Sequence, residues 1–247
     1  FFDFGSGASN WLLATLDNYR FLTEDNLYWI SYFKSLKIAA ISTLLCLLLG
    51  YPMAYGIARC QPSTRKLLLM LVILPFWTSF LLRVYAWIGM LGKTGVINSL
   101  LLKLGLITTP LQMLYTDGAV YLGIVYTYIP FMILPLYGIL QKMDTDLHDA
   151  AADLGAKPWQ VFIDITLPLS KPGIIAGCLL VFIPAVGEYV IPALLGGIDS
   201  LMIGRTLYDE FFVNRDWPLA SAVATVLLFI IVIPIMLLQR SQQEKPQ

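Results

Sequence analysis

The sequence predicts an all-α fold, a polytopic bundle of transmembrane helices forming one domain over residues 1–247. The chain is 58% hydrophobic, only 13% of its residues are charged, and its mean hydropathy is +0.74. A soluble domain carries about 25% charged residues. Because a bilayer core requires apolar side chains on the protein surface, the shortage of charge indicates a membrane protein.

Five segments are long enough to span a bilayer, which takes about 20 mostly apolar residues in a helix. Proline and glycine recur inside them, and membrane helices tolerate both because neighbouring helices satisfy the freed backbone groups. The predicted spans are residues 38–58, 67–91, 118–141, 172–195 and 217–239.

Charge and composition exclude several classes of function. Sixteen basic and sixteen acidic residues leave no net charge, so nothing indicates a nucleic-acid partner. The three cysteines (Cys46, Cys60 and Cys178) lack metal-like or disulfide-like spacing. The single histidine, His148, excludes a multi-histidine metal site and is interpreted as a solvated loop residue. No hydrolase motif occurs, so we expect no catalytic residue and no metal site.

The most informative motif lies between the third and fourth spans. Asp149-Ala150-Ala151-Ala152-Asp153-Leu154-Gly155 is followed, after nine residues, by Ile165-Thr166-Leu167-Pro168. The pattern resembles the cytoplasmic loop of the membrane-spanning subunits of bacterial ABC importers, with Asp149 in place of the usual Glu. The resemblance implies that residues 144–168 dock on a separate ATPase subunit. The residues that it assigns to this coupling are Asp149, Ala150, Ala151, Gly155, Ile165, Leu167 and Pro168.

Local chemistry predicts the shape of this 144–168 loop. Asp144-Thr145-Asp146 supplies side chains that can cap a helix N-terminus. Gly155 is placed to end that helix in a left-handed turn, and Pro158 is suited to the first position of a second helix. Two apolar stripes are expected, the second of which would pack against the span ends. They consist of Leu147, Ala151 and Leu154, and of Trp159, Phe162 and Ile165.

Basic residues divide almost equally between the two sides of the predicted spans, so their number does not decide the orientation. Three of them, Arg59, Arg65 and Lys66, crowd into one short loop. The resemblance places that loop, the 144–168 loop and the C-terminus in the cytoplasm. The six-span plan of the family adds the expectation of one more span before Phe1.

Three further segments resemble the permeases of spermidine/putrescine importers, most closely the first, putrescine-type one. Residues 74–87 are similar to their third span, residues 181–197 to their fifth, and residues 214–218 to the segment before their last. The resemblance implies a multi-pass protein of the bacterial inner membrane that pairs with a second permease as a heterodimer. Two ATP-binding subunits, which would hold ATP and Mg²⁺, and an extracytoplasmic binding protein are the other expected partners. No cofactor is expected in this chain.

Arg83 and Glu188 are the charges well inside predicted spans. At 1.5 Å per residue both lie about 24 Å from the cytoplasmic start of their helices. An intramembrane charge is costly and indicates either a partner or a function. Two interpretations stay open: the pair neutralises itself and joins two helices, or Glu188 faces the translocation path and attracts an amine.

Polyamine sites need carboxylates for the ammonium groups and aromatic faces for cation–π contact. Packing against lipid or helices is the simpler role for any single ring. The residues assigned to the substrate path are Glu188, Arg83, Tyr85, Trp87, Tyr189 and Asp209, and Tyr126, Tyr128, Asp199 and Glu210 are of suitable type.

The sequence leaves alternatives to polyamine import open. A permease of an ABC importer for another small solute would carry the same loop motif. A secondary transporter driven by an ion gradient predicts internal repeats, and the sequence shows none. A membrane scaffold would need neither Glu188 nor a loop directed at an ATPase.

Overall fold

The computed structural model of the chain describes residues 17–144, 146–197 and 200–243. Helices make up most of this part of the chain, and no strand occurs in it, which agrees with the predicted fold class. Asp199, one of the candidate residues, lies outside the described residues, as do Thr145 and the segment before Asp17. The helices are α1 (Asp17–Glu24), α2 (Asn26–Arg59), α3 (Pro62–Ile73), α4 (Phe80–Leu91), α5 (Val96–Lys103), α6 (Asp117–Leu140), α7 (Asp146–Asp153), α8 (Pro158–Val161), α9 (Leu167–Val186), α10 (Val190–Leu195), α11 (Ile203–Tyr208) and α12 (Trp217–Gln243).

Four helical segments among the described residues are long and apolar enough to cross a membrane. The fifth predicted span, 217–239, falls within α12. The four segments are Asn26–Arg59, Phe80–Lys103, Asp117–Leu140 and Pro158–Val186.

The second predicted span, 67–91, is not one continuous helix. A 3₁₀ turn (Leu74–Trp77) follows α3, and Thr78 is extended, with φ −99° and ψ 149°. Pro75 has no N–H to donate within a helix, which favours a break at this point. Arg83 consequently lies in the first turns of α4 rather than in mid-helix.

The fourth predicted span, 172–195, is also divided. α9 ends at Val186, Gly187 leaves the helical path, and α10 starts at Val190. Glu188 therefore sits in a break between two helices, a position in which backbone amides are free to bind a side chain. Hydropathy could not reveal this break, because both sides of it are equally apolar.

The helices α2, α6 and α9 pack together as the core of the bundle. Gly173 and Gly177 face α6 with the spacing that lets membrane helices approach closely. A Cβ on Gly177 would lie 2.7 Å from the Met132 sulfur, and one on Gly173 would lie 3.2 Å from the Pro135 carbonyl oxygen. These contacts fix the α6–α9 pair at the end of the bundle that carries the 144–168 loop.

Polar contacts close the opposite end. Lys34 Nζ lies 3.6 Å from Asp117 Oδ1, which also accepts a 2.5 Å hydrogen bond from the Ser200 hydroxyl. The buried Asn98 amide group exchanges hydrogen bonds with the backbone of Leu111, at 2.9 Å each. The first contacts join α2 and Ser200 to the start of α6, and the second pair joins α5 to the loop that follows it.

Candidate functional site

The 144–168 loop begins with the short helix α7. Asp144 Oδ1 accepts a hydrogen bond from the Asp146 N–H at 3.0 Å, just before the helix. Asp149 and Ala150 are exposed, whereas Ala151 is half-buried. The acidic side chain of Asp149 and the small side chain of Ala150 are therefore both accessible to another protein.

Gly155 ends α7 as the sequence predicts. Its φ of +86° lies in the left-handed region that favours glycine. The Gly155 N–H donates to the Ala152 carbonyl (2.8 Å) and the Ala156 N–H donates to the Ala151 carbonyl (3.0 Å), the two bonds of a Schellman motif. The turn leaves Leu154 90% exposed at the tip of the loop.

The second half of the loop starts again at Pro158, the first residue of α8. Gln160 Oε1 accepts a hydrogen bond from the Lys157 N–H at 2.8 Å. A wider π-helical turn (Phe162–Thr166) then leads into α9. Pro168, in the first turn of α9, is exposed.

The second apolar stripe packs against the bundle only in part. The Phe162 ring meets Tyr51 and Tyr55 edge-on, with ring centroids 5.6 Å and 5.9 Å apart. Leu167 packs against the same hydrophobic cluster, and Ile165 is half-buried. The prediction is wrong for Trp159, which is 60% exposed, because α8 turns this ring away from the spans. Trp159 thus joins Leu154 on the exposed apolar surface of the loop.

His148 is not the solvated residue that the sequence suggests. Its Nε2 lies 3.0 Å from the Thr166 hydroxyl, and its Nδ1 lies 3.4 Å from the Asp144 carbonyl oxygen. The ring joins α7 to the π-helical turn, and it is half-buried as a result. Sequence spacing could not show this contact, since the chain reverses at Gly155 to make it.

Glu188 is 8% exposed and lies in the break between α9 and α10. The Tyr128 hydroxyl donates to Glu188 Oε2 at 2.6 Å. Oε1 accepts from the backbone N–H groups of Val190 (3.1 Å) and Ile191 (3.4 Å) at the start of α10. Three of the roughly four acceptor positions of the carboxylate are therefore occupied, and one remains.

Arg83 does not pair with Glu188. No ion pair joins them in the described structure, and the Arg83 guanidinium instead lies over the rings of Phe76 (5.5 Å) and Phe80 (5.9 Å). Its Nε and Nη1 atoms are buried and have no hydrogen-bond partner among the described residues. Their neighbours in the chain, Val84 and Val186, belong to one hydrophobic cluster, but the two charged groups have different partners.

A column of aromatic rings begins next to Glu188. Tyr189 stacks on Tyr208 with ring centroids 4.5 Å apart and an interplanar angle of 9°. Tyr208 in turn contacts Phe212 at 4.7 Å. Sequence reasoning named Tyr189 but missed Tyr208 and Phe212, because no short-range spacing links them to it. Tyr189, the residue after Glu188 in the chain, is thus one end of this column.

The other candidate residues lie at varied positions. Tyr85 is 57% exposed on the outer face of α4, and Trp87 packs edge-on against Tyr126 at 5.5 Å. Asp209 is half-buried at the start of the turn after α11. Glu210 has structural partners, since the Tyr28 hydroxyl and the Asn214 side-chain amide each donate to it at 2.9 Å.

Comparisons with known proteins agree with this architecture. Residues 46–244 match the family described as "Binding-protein-dependent transport system inner membrane component". The chain is 44% identical over 221 residues to the spermidine/putrescine transport system permease protein PotB of Haemophilus influenzae, covering 88% of this chain and 77% of the relative. It is 45% identical over 219 residues to PotB of Escherichia coli, with 89% and 79% covered. A bacterial ABC transporter involved in the import of alginate shares the fold, with a TM-score of 0.76 at 16% identity and with 95% and 85% of the two chains covered.

Proposed function

The chain belongs to the family of binding-protein-dependent transport system inner membrane components, as the permease subunit of an ABC importer, and we propose that this importer carries the linear polyamines spermidine and putrescine. It is a multi-pass protein of the inner membrane and a transport component rather than an enzyme. The observation that carries the polyamine proposal is the similarity, over most of the chain, to relatives named for these two amines.

The surroundings of Glu188 suit a linear ammonium compound. The carboxylate keeps one acceptor position, and no basic side chain of the described residues forms an ion pair with it. The Tyr189 ring, on the next residue of the chain, stacks on Tyr208 with one face and would offer its other face to a cation. In a low-dielectric site such a carboxylate attracts a positive charge strongly. Glu188 is accordingly the first residue of the substrate path in this proposal, with Tyr189 beside it.

The remaining path residues would play supporting roles. Arg83, held over two phenylalanine rings, repels cations and would keep the amine on the Glu188 side of the bundle. Trp87 packs against the helix that carries Tyr128 and would brace it. Tyr85 and Asp209 are accessible enough to contact a substrate or the second permease.

Coupling to ATP hydrolysis would take place through the 144–168 loop. Asp149, Ala150 and Leu154 are exposed on one short helix with a fixed end, which suits insertion into a groove of an ATP-binding subunit. Ile165, Leu167 and Pro168 join this helix to α9. Movement of the docked helix would therefore reach the helix that ends beside Glu188.

The complete importer in this proposal has four kinds of subunit. The chain pairs with a second permease as a heterodimer, two ATP-binding subunits hold ATP and Mg²⁺, and an extracytoplasmic binding protein delivers the amine. This chain itself would hold neither nucleotide nor metal.

Uptake into proteoliposomes tests the substrate class. The complex, supplied with its binding protein and with internal ATP, should accumulate radiolabelled spermidine and putrescine. An acyclic monoamine of similar length is the control, because it lacks the second ammonium group. Accumulation of an anion or a metal chelate, with neither polyamine transported, contradicts the proposal.

A further inference from the structure

A cavity with a basic lining lies beside α7, where two of the long helices end. Its volume is about 540 Å³. Arg59, at the end of α2, and Arg65, in α3, contribute the positive charges, and His148, in α7, lies on the same wall. No acidic side chain of the described residues lines it. Such a lining suits an anion.

Arg65 is only partly satisfied by the protein. Its Nη2 donates to the carbonyl oxygens of Ala58 (2.8 Å) and Cys60 (3.1 Å), which are exposed where α2 ends. Its Nε is buried and has no hydrogen-bond partner in the part of the chain that the structure describes. A guanidinium has five N–H donors, so most of the hydrogen-bonding capacity of Arg65 is unused.

Arg59 supplies a second guanidinium at the same cavity. It lies 4.3 Å from the centre of the Tyr55 ring, which holds it in place from one side. Neither Arg59 nor Arg65 forms an ion pair within the described residues. Two arginines without carboxylate partners favour a ligand with several acceptor oxygens, and phosphate groups match the geometry of a guanidinium.

The position of the cavity indicates where that phosphate comes from. In the orientation that the family implies, the cavity lies at the cytoplasmic ends of α2 and α6, where these spans leave the apolar layer, and Leu140 and Met143 form an apolar part of its wall. A basic pocket between membrane helices on this side is suited to an acidic head group. We propose that this cavity binds the phosphate of an anionic phospholipid from the cytoplasmic leaflet.

A lipid bound in this cavity would contact both the ends of the spans and the 144–168 loop. Arg59 and Arg65 belong to the ends of α2 and α3, whereas His148 belongs to α7 and its ring nitrogens face Thr166 and Asp144. A head group held by the two arginines would pack beside the His148 ring and so restrict movement of α7 relative to the spans. Anionic lipid would therefore increase the fraction of ATP hydrolysis that responds to the loaded binding protein. This consequence rests on the proposed function, whereas lipid binding itself requires only the membrane orientation.

Lipid retention by the purified complex tests the binding site directly. Native mass spectrometry should find phosphatidylglycerol retained in preference to phosphatidylcholine. Arg59→Gln should lower this retention about fivefold, the effect of removing one basic side chain near an anionic surface. Arg59→Lys should retain most of it. Lys66→Gln is the matched control, since Lys66 is an exposed basic residue of the same loop that does not line the cavity.

Reconstitution into nanodiscs gives the second measurement. ATPase activity stimulated by the loaded binding protein should be higher in discs that contain phosphatidylglycerol than in phosphatidylcholine alone, and Arg59→Gln should abolish this difference. Lipid retention does not depend on the transported solute. The retention measurement therefore tests the lipid site independently of the polyamine assay, and either can fail without the other.

Three results would overturn the lipid proposal. The first is equal phosphatidylglycerol retention by Arg59→Gln and the unmodified complex. The second is inorganic phosphate reproducing the effect of phosphatidylglycerol, which would identify a free-phosphate site. The third is loss of an ATP-binding subunit from Arg59→Gln with lipid retention unchanged, which would identify a carboxylate of that partner as the occupant.

Discussion

The hydroxyl of Tyr128 donates a 2.6 Å hydrogen bond to Oε2 of Glu188, and it thereby joins the middle of α6 to the break between α9 and α10. The other carboxylate oxygen accepts from the first amides of α10. Glu188 thus fulfils two roles: it holds the interrupted helix together and it places a negative charge inside the bundle. Hydrogen bonds to a charged group each contribute about 1.5–3 kcal/mol, so these bonds stabilise the backbone conformation between α9 and α10.

Glu188→Gln should reduce polyamine uptake at least tenfold. The amide keeps the size of the side chain: its oxygen can accept from the Val190 and Ile191 N–H groups while its NH2 donates to the Tyr128 hydroxyl oxygen. The charge that attracts an ammonium group is lost, and a loss of about 2 kcal/mol in a charge-assisted contact corresponds to roughly thirtyfold. Uptake of radiolabelled spermidine is the measurement, and complex yield is the control for assembly. An unchanged uptake rate in a fully assembled complex would show that the charge plays no part in transport.

Tyr128→Phe should lower the thermal stability of the complex, because the Glu188 carboxylate loses a donor while it stays buried. The expected cost is about 1–3 kcal/mol. Tyr126→Phe is the matched control on the same helix, since the Tyr126 hydroxyl makes no hydrogen bond among the described residues. Equal melting temperatures for the two variants would contradict a bracing role for Tyr128.

Gly155→Ala should weaken coupling without unfolding the spans. A Cβ at Gly155 meets no atom within 4 Å, so the cost arises from its φ of +86° alone and amounts to about 1–2 kcal/mol. The end of α7 would shift, and ATPase activity stimulated by the binding protein should fall. Gly138→Ala is the control, because a Cβ there also meets no atom and its φ is helical. The hypothesis fails if both variants retain full stimulation.

Leu154→Ser should weaken the binding of the ATP-binding subunit, because a side chain that is 90% exposed contributes nothing to the fold and is available to a partner. Removing a leucine from an interface costs about 1–2 kcal/mol, or roughly tenfold in affinity. Leu106→Ser, at an exposed leucine in the loop after α5, should leave the affinity unchanged. The effect is measured by co-purification and by the affinity of the isolated ATPase for the immobilised permease.

The double variant Arg83→Gln/Glu188→Gln should show additive effects on complex stability. The two charges have separate surroundings, one over phenylalanine rings and the other bound by Tyr128 and α10 amides. Independent sites add within about 0.5 kcal/mol. A double-mutant cycle in melting temperature tests this, and recovery of stability in the double variant would indicate an ion pair after all.

The sequence predicted features that depend on local chemistry. Gly155 ends α7 because only glycine adopts the left-handed turn readily, and Pro158 begins α8 because a proline needs no N–H donor there. The apolar composition predicted the membrane fold because the outer surface of a span faces lipid rather than water. The motif around Asp149 predicted the family, which the comparisons confirm.

Counting residues along two unbroken helices predicted that Arg83 and Glu188 lie at one level, where they could pair. Neither helix is unbroken, so the count does not place these two side chains. Their pairing failed because the breaks after Ile73 and after Val186 reorient the backbone. Hydropathy is averaged over many residues, so it cannot locate a break whose two sides are equally apolar.

The sequence by itself therefore determined the fold class, the family and the ends of the short helices in the 144–168 loop, each of which depends on composition or on residues close together in the chain. Only the tertiary structure decided which side chains meet: Tyr128 with Glu188, Tyr189 with Tyr208, His148 with Thr166, and Arg59 with Arg65 at one cavity. The physical reason is that these contacts depend on how separate helices are rotated and packed, which the α2–α6–α9 core sets through its close glycine contacts.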